Sequence, residues 1–271
     1  MFVPLERMFP ARPGQAIVRS EWGLDLLFFL GQYLVFTGLA ITALDAAGHL
    51  LQAHLPQGVR SWGLHAPPVL ACIAAVVGGD LLVYWFHRAC HEWPLLWRFH
   101  AVHHSTAKLD WLAAHREHPV DGVLTQLCQN LPAIALGIPV RWLAALAVFR
   151  GVWAIFVHSN VRLPLGPLRW VLGAPELHHW HHAKLERTRH NFANLAPWID
   201  WVFGTHHMPA GAESYELGVD EAEASPPGAG PLRAYATHMM RPLIPAPVRA
   251  ALAITARATG TAPTRPHPRS P

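Results

Sequence analysis

Eight histidines in three blocks carry the chemistry this chain can do: His87 and His91, then His100, His103 and His104, then His178, His181 and His182. The blocks read H-x3-H, H-x2-H-H and again H-x2-H-H. Residues three and four apart share one face of a helix, so each block can turn its imidazoles towards a single point. Neutral imidazole is the commonest protein ligand for iron, zinc and copper, and several rings together can hold more than one ion. One block alone could be a set of interfacial polar residues at a helix end. Three at matching spacing argue for metal, because clustered imidazoles that must charge or stay desolvated together repel or strain, and a bound cation removes that problem. His158, alone before Ser159 and Asn160, joins the set as a ninth expected ligand through the chain topology set out next.

The elements that must position these rings are apolar. The chain has 271 residues, of which 52% are hydrophobic and only 14% charged, against about 25% charged in soluble domains. Mean hydropathy is positive, +0.19. The net charge of +4 is small, Lys108 and Lys184 are the lysines, and no dense basic patch is present; a nucleic-acid partner is excluded. Cys72, Cys90 and Cys128 are odd in number and form no C-x2-C pair, which argues against a disulfide framework or a thiolate site. The first 20 residues contain Pro4, Pro10 and Pro13 and no compact apolar run, so a cleavable signal peptide is not expected.

Residues 1–21 read as a polar lead with Arg7, Arg12 and Arg19. An apolar span follows over about Leu24 to Leu44, long enough at ~1.5 Å per residue to cross a ~30 Å hydrocarbon layer. Residues 45–66 read as a loop with amphipathic pieces. A second span, roughly Pro67 to Phe86, runs straight into His87. Residues 123–156 read as a helical hairpin broken at Pro132, Gly137 and Pro139, and His158 lies at its return. The fold expected is therefore all-α: an integral-membrane helical bundle of about four membrane-embedded helices with a histidine-rich helical cap. The domain organisation is a lead (1–21), a membrane domain (22–207, with its motifs in 76–207) and an acidic, Pro-rich region (208–271). That last region includes Glu213, Glu216, Asp220, Glu221 and Glu223, a weak helix near 247–258 and a disordered Pro/Arg tail. Counting Arg and Lys around the spans puts the N-terminus and all histidine blocks on the cytoplasmic side of a multi-pass protein.

Asp80, Tyr84, His87 and His91 follow a 4-3-4 spacing and form one helical stripe. Asp80 is expected to accept the free N–H of a coordinating imidazole, with an ion pair to an arginine as the plainer alternative. His118, cut off by Pro119, is expected outside the ligand set, as are His190, His206 and His207. His179 gives way to His178 as the better match to the preceding block. His49, His54, His65, His238 and His267 are expected to have no part in it. Trp85, Trp93, Trp97, Trp111, Trp180, Trp198 and Trp201 read mostly as interfacial belt residues.

These motifs resemble the fatty acid hydroxylase/sterol desaturase superfamily. H-R-A-C-H (87–91), F-H-A-V-H-H-S (99–105) and P-E-L-H-H-W-H-H-A (175–183) carry the resemblance. Its flanks are D-x3-Y-x-x-H-R (80–88), R-E-H-P (116–119), H-S-N (158–160) and N-F-A-N-x4-W-I-D-W-V-F-G-T (191–205). It covers residues 76–207, about half the chain. The resemblance implies an integral-membrane oxygenase with two iron ions per chain and O2 as co-substrate, acting on a fatty acyl, sterol or sphingoid-type lipid. It implies His87, His91, His100, His103, His104, His178, His181 and His182 as ligands, with His158 matching the family's extra histidine. Asp80, Tyr84, His118, Asn160, Asn191 and Asp200 are the candidates for holding the ligands in place. No haem, flavin or nucleotide fingerprint is present, so electrons are expected from separate proteins, a reductase with a ferredoxin or a b-type cytochrome.

The chemistry asks for the same design. Attack on an unactivated C–H bond needs an oxidant made from O2, which redox-active iron supplies and no side chain does. Hydroxylation is the first expectation and desaturation at the same site the second. A metal transporter or sensor would place its ligands at mid-membrane depth rather than at span ends. A structural zinc protein would leave no open coordination position.

Overall fold

A computed structural model describes residues 2–185, 188–209, 215–220 and 223–245. Every regular element among these residues is a helix; two isolated bridges, Pro10–Val161 and Ala183–Leu217, are the β-type contacts. The principal helices are α1 (Phe2–Met8), α2 (Trp22–His54), α3 (Pro68–Glu92), α4 (Pro94–His104), α5 (Pro119–Ala135), α6 (Val140–His158), α7 (Pro175–His181), α8 (Trp198–Val202) and α9 (Pro231–Met240). The expected helix near 247–258, the Pro/Arg tail, Glu213 and Glu221 lie outside the described residues.

Among the described residues, three helices are long and apolar enough to cross a membrane: α2 with 33 residues, α3 with 25 and α6 with 19. Their lengths are roughly 50, 37 and 28 Å at the α-helical rise. Leu34, Val35, Ile41, Val69, Val140 and Val148 point outwards from them, more than half exposed, as lipid-facing side chains would. α5, 17 residues long, packs between α2 and α3. It forms with α6 the hairpin expected over 123–156. The turn needs Gly137, whose φ is +65° and whose missing Cβ would sit 1.8 Å from the Arg60 carbonyl oxygen. Gly79 has a similar role inside α3: a Cβ there would meet the Gln129 carbonyl at 2.4 Å, so the glycine lets α3 and α5 approach closely.

The first span differs from its expected bounds. Instead of ending near Leu44, helix continues to His54, and single turns at Gln57–Arg60 and Trp62–His65 replace the loop. Asp45 and His49 sit one turn apart and exposed, 3.5 Å from each other. Polar residues on an outer helical face do not interrupt the backbone hydrogen bonds. A π turn spans Gln32–Phe36 within this helix.

Prolines set where the chain turns. Pro94 is the first residue of α4; the preceding Trp93 is extended (φ −99°, ψ 119°), which stops α3 at Glu92 and folds the second histidine block back on the first. Pro119 opens α5 in the same way, with His118 extended before it, and Pro175 opens α7 ahead of the third block.

The lead and the 231–240 segment are both packed onto the bundle. Phe2 of the lead is buried with Phe156, Val157 and Val161 at the end of α6. Residues 231–240 form α9, whose Ala234 joins Leu24, Phe28 and Val102 in a second cluster, with Tyr235 edge-on to Phe28 at 4.9 Å. The polar lead therefore lies at the same end of the bundle as His158.

Candidate metal centre

The ends of α3, α4, α6 and α7 bring all nine candidate imidazoles together, in two groups. His87, His91, His100, His104 and His181 form one; His103, His158, His178 and His182 form the other; within each, the ligand atoms lie within 4.8 Å of one another. The groups interleave along α4, because His103 and His104 are adjacent and so point about 100° apart around the helix. His104 stacks on His182 across the divide, ring centroids 4.3 Å apart. Eight of the nine rings are less than 9% exposed, His103 being the exception.

Hydrogen bonds fix the tautomers. Nδ1 of His87 faces the Phe192 carbonyl at 2.7 Å, that of His103 the Arg116 carbonyl at 3.1 Å, that of His158 the Ala154 carbonyl at 2.7 Å and that of His181 the His190 carbonyl at 2.8 Å. Nδ1 of His100 faces the Asp121 carboxylate at 2.8 Å. Carbonyl and carboxylate oxygens only accept, so each of these Nδ1 atoms carries the proton and each Nε2 presents a bare lone pair. The Nε2 atoms face one another: those of His103 and His158 are 3.0 Å apart, His158 and His178 2.8 Å, His178 and His182 3.1 Å, His100 and His104 3.2 Å. Between His103 and His158 no proton remains to form a hydrogen bond. A cation about 2.1 Å from each nitrogen puts neighbouring donors roughly 3.0–3.4 Å apart, which is the spacing found. Nε2 of His87 and His181 and both nitrogens of His91 are buried with no hydrogen-bond partner. The residues therefore fit a metal: inward, neutral, all-nitrogen donors with no other use. Burial, and then neighbouring imidazoles or His190, hold His104, His178, His181 and His182 well below the ordinary histidine pKa, and the same causes act on His103.

The candidates for outer positions are dispersed. Asp80 does not reach an imidazole; its carboxylate pairs with Arg150 of α6, the plainer of its two expected readings. Tyr84 bonds the Thr205 hydroxyl at 2.8 Å and stacks on Phe203. His118 caps α5, Nδ1 accepting from the Val120 amide, and Nε2 is 3.2 Å from the Met239 carbonyl. Asn160 holds the lead through the Arg12 amide at 2.8 Å. Asn191 and Asp200 act at one remove. Asp200 accepts from the amides of Phe192 and Ala193 and from Thr205, while Asn191, at φ +55°, bonds Leu177 and His207. They shape the loop whose His190 and Phe192 carbonyls orient His181 and His87. Burial pushes the Asp200 carboxyl up to about 6. His179 lies outside both groups, its Nε2 3.0 Å from the Ser159 carbonyl. Trp97 is buried against His91 and His104, whereas Trp85, Trp93, Trp198 and Trp201 are exposed in the manner of a belt.

Asp121 is the residue that spacing did not single out. Besides His100 it lies 3.8 Å from Cys90 Sγ; Cys90, His100 and Asp121 cluster closely, but the carboxylate there receives the His100 proton, so it serves the ring rather than a third ion. Its position in the first turn of α5, three residues after His118, was the available signal. Asp121→Asn keeps the shape and loses the charge; it is expected to weaken metal retention ~10–100-fold, the usual cost of losing an orienting partner. Competition against a chelator measures this, and unchanged retention would show that His100 needs no anchor.

The fatty acid hydroxylase family matches residues 72–205, the stretch that holds all nine candidate ligands, from His87 to His182, and the Thr205 contact. The chain is 28% identical to ornithine lipid hydroxylase OlsE of Rhizobium tropici over 80% of its own length and 65% of that protein's. The chain belongs to the fatty acid hydroxylase/sterol desaturase superfamily. It is 32% identical to human alkylglycerol monooxygenase, over 48% of the chain and 29% of the relative. It is 27% identical to putative Delta(7)-sterol-C5(6)-desaturase 2 of Arabidopsis thaliana, over 48% and 46%. The chain thus spans 65% of the first of these relatives and under half of the other two. No solved structure matches it. Superfamily membership agrees with the motif resemblance, and the shared segment is the one that builds the two donor groups.

Proposed function

We propose that the chain is an integral-membrane, multi-pass lipid oxygenase that hydroxylates its substrate with O2 at two histidine-held iron ions. The observation that carries this reading is the division of nine imidazoles into two inward-facing nitrogen sets at the ends of apolar helices. His87, His91, His100, His104 and His181 would hold one ion; His103, His158, His178 and His182 the other. Bound iron would supply the O2-derived oxidant that an unactivated C–H bond requires. The chain's own part is to keep the donors deprotonated at Nε2, to fix ring directions through Asp121 and four backbone carbonyls, and to exclude water by burying the rings. The relatives named as lipid hydroxylase, monooxygenase and desaturase support the lipid class. Arg7, Arg12 and Arg19 lie in the lead that packs beside the centre, which supports a cytoplasmic position for it. Electrons would come from a reductase acting through a ferredoxin or a b-type cytochrome.

The test uses the purified chain in detergent, loaded with iron and supplied with reductase and carrier. About two metals per chain and O2 uptake coupled to oxygen gain in a lipid are expected. Fewer than two metals, or O2 uptake with every lipid unchanged, would defeat the reading. Lipid extracts from cells with and without the gene separate it from metal transport: altered metal uptake with an unaltered lipid profile would favour transport. The placement of the donors at helix ends speaks against that alternative.

A further inference from the structure

A groove of about 230 Å³ lies between α2 and α5, outside the histidine groups. Its walls along α2 are Phe36, Thr37, Ala40, Ile41 and Leu44, all in the apolar helix. From Gln32 to Leu44 the groove follows α2 for roughly 18 Å, at the helical rise. At its head the lining changes to Gln32, Glu117 and His118. Gly122 leaves room for the carboxylate: a Cβ there would stand 2.6 Å from Glu117 Oε2.

Among the described residues Glu117 has no cation beside it. Its nearest charged neighbour is Asp121, of the same sign, and burial together with Asp121 pushes its carboxyl up to about 8. His118 offers no positive charge, since its Nδ1 accepts the Val120 N–H and burial lowers its pKa. Arg116 directs Nε and Nη1 of its guanidinium to Asp25, Glu21 and Ser105. Gln32 is turned to His115, 3.1 Å from Nδ1. A carboxyl so desolvated holds its proton until a cation arrives beside it, which would favour the ionised form.

The head of the groove is level with the candidate centre. Arg116, next in sequence to Glu117, orients His103 through its carbonyl, and Asp121 orients His100. The apolar stretch runs from there into the membrane-crossing length of α2. A lipid in the same leaflet would put its polar group at Glu117 and its chain along Ala40 and Leu44.

We propose that this groove binds a lipid through a cationic, ammonium-bearing headgroup received by Glu117. The proposal deepens the lipid-enzyme reading and rests on it for the bilayer setting, but its test reads binding and not oxidation, so the two can fail separately. Hexadecylamine and hexadecanol are compared as probes for retention by the purified chain in micelles, read by native mass spectrometry. The amine is expected to be retained at least about tenfold better, as a charge-assisted hydrogen bond would give. Glu117→Gln should erase that preference and Glu117→Asp should keep part of it. Ala40→Phe, which narrows the slot away from the charge, should weaken both probes and leave their ratio intact. Equal retention of the two probes by the unaltered chain, or a preference that survives Glu117→Gln, would overturn the proposal. If Glu117→Gln does not fold, the Ala40→Phe arm decides, because retention unmoved by it puts the lipid elsewhere.

Discussion

Replacing His103 with alanine should cut bound metal from about two ions per chain to about one and abolish O2-dependent lipid oxidation. His103 supplies one of four donors in its group, and its Nε2 lies 3.0 Å from that of His158. The tautomer argument is strictest at this pair, because both Nδ1 protons are committed to backbone carbonyls. Loss of a donor should exceed the ~10–100-fold cost of losing a mere orienting partner. The five-membered group, which does not use His103, should keep its ion. Metal analysis and an oxidation assay on the same preparation read both effects. Two ions retained with full activity would remove His103 from the ligand set.

The second large effect concerns stability. Arg116 is fully buried and bonds Asp25 at 2.5 Å, Glu21 at 3.2 Å and Ser105 at 3.3 Å. Asp25 also pairs with Arg19, which bonds Asp110 at 2.7 Å. Five charged groups from the lead, the start of α2 and the 105–116 segment thus form one buried network. Arg116→Met fills the space but removes the cation, leaving Asp25 with a single partner and Glu21 with none from this side. Breaking a buried pair on one side typically costs ~3–5 kcal/mol, since the remaining charge is stranded. A markedly lower unfolding midpoint in detergent is expected, together with looser packing of α2 seen as faster proteolysis of the lead. A midpoint equal to that of the unaltered chain would mean that water reaches this network.

Donor positions were legible in the sequence because they are local. Spacings of three and four residues fix which rings share a helical face, whatever the rest of the fold does, and prolines 94 and 175 mark where two of those helices begin. The assignment of rings to two groups was not legible, since it depends on how α4 rotates between α3 and α7. The stripe Asp80–Tyr84–His87–His91 shows the limit of helical periodicity. All four residues are buried on one face as expected, yet eleven residues of helix cover roughly 16 Å. The upper end of the stripe meets imidazoles, while the lower end meets Arg150 and the middle meets Thr205. Sharing a face fixes direction and leaves the neighbour to tertiary packing. The supports of the rings were hidden for another reason: four of five are backbone carbonyls, of Arg116, Ala154, His190 and Phe192, and any residue type carries one. Asp121, the fifth, has a side-chain identity, but its contact with His100 crosses a turn that sequence spacing does not measure.

The carbonyls that aim the rings also set an order of assembly. His87, near the start of the motif region, donates its hydrogen bond to the Phe192 carbonyl, 105 positions later, and His103 lies against His158 across 55. A ribosome delivers the chain from its N-terminus, so α3 and α4 are made while their partners are still missing. The first rings must wait, bare and unoriented, until the loop around Phe192 has been synthesised and has folded back. Completion of the donor groups is therefore a late event in biogenesis, and a chain truncated before residue 192 would carry the first rings yet lack the carbonyl that orients His87.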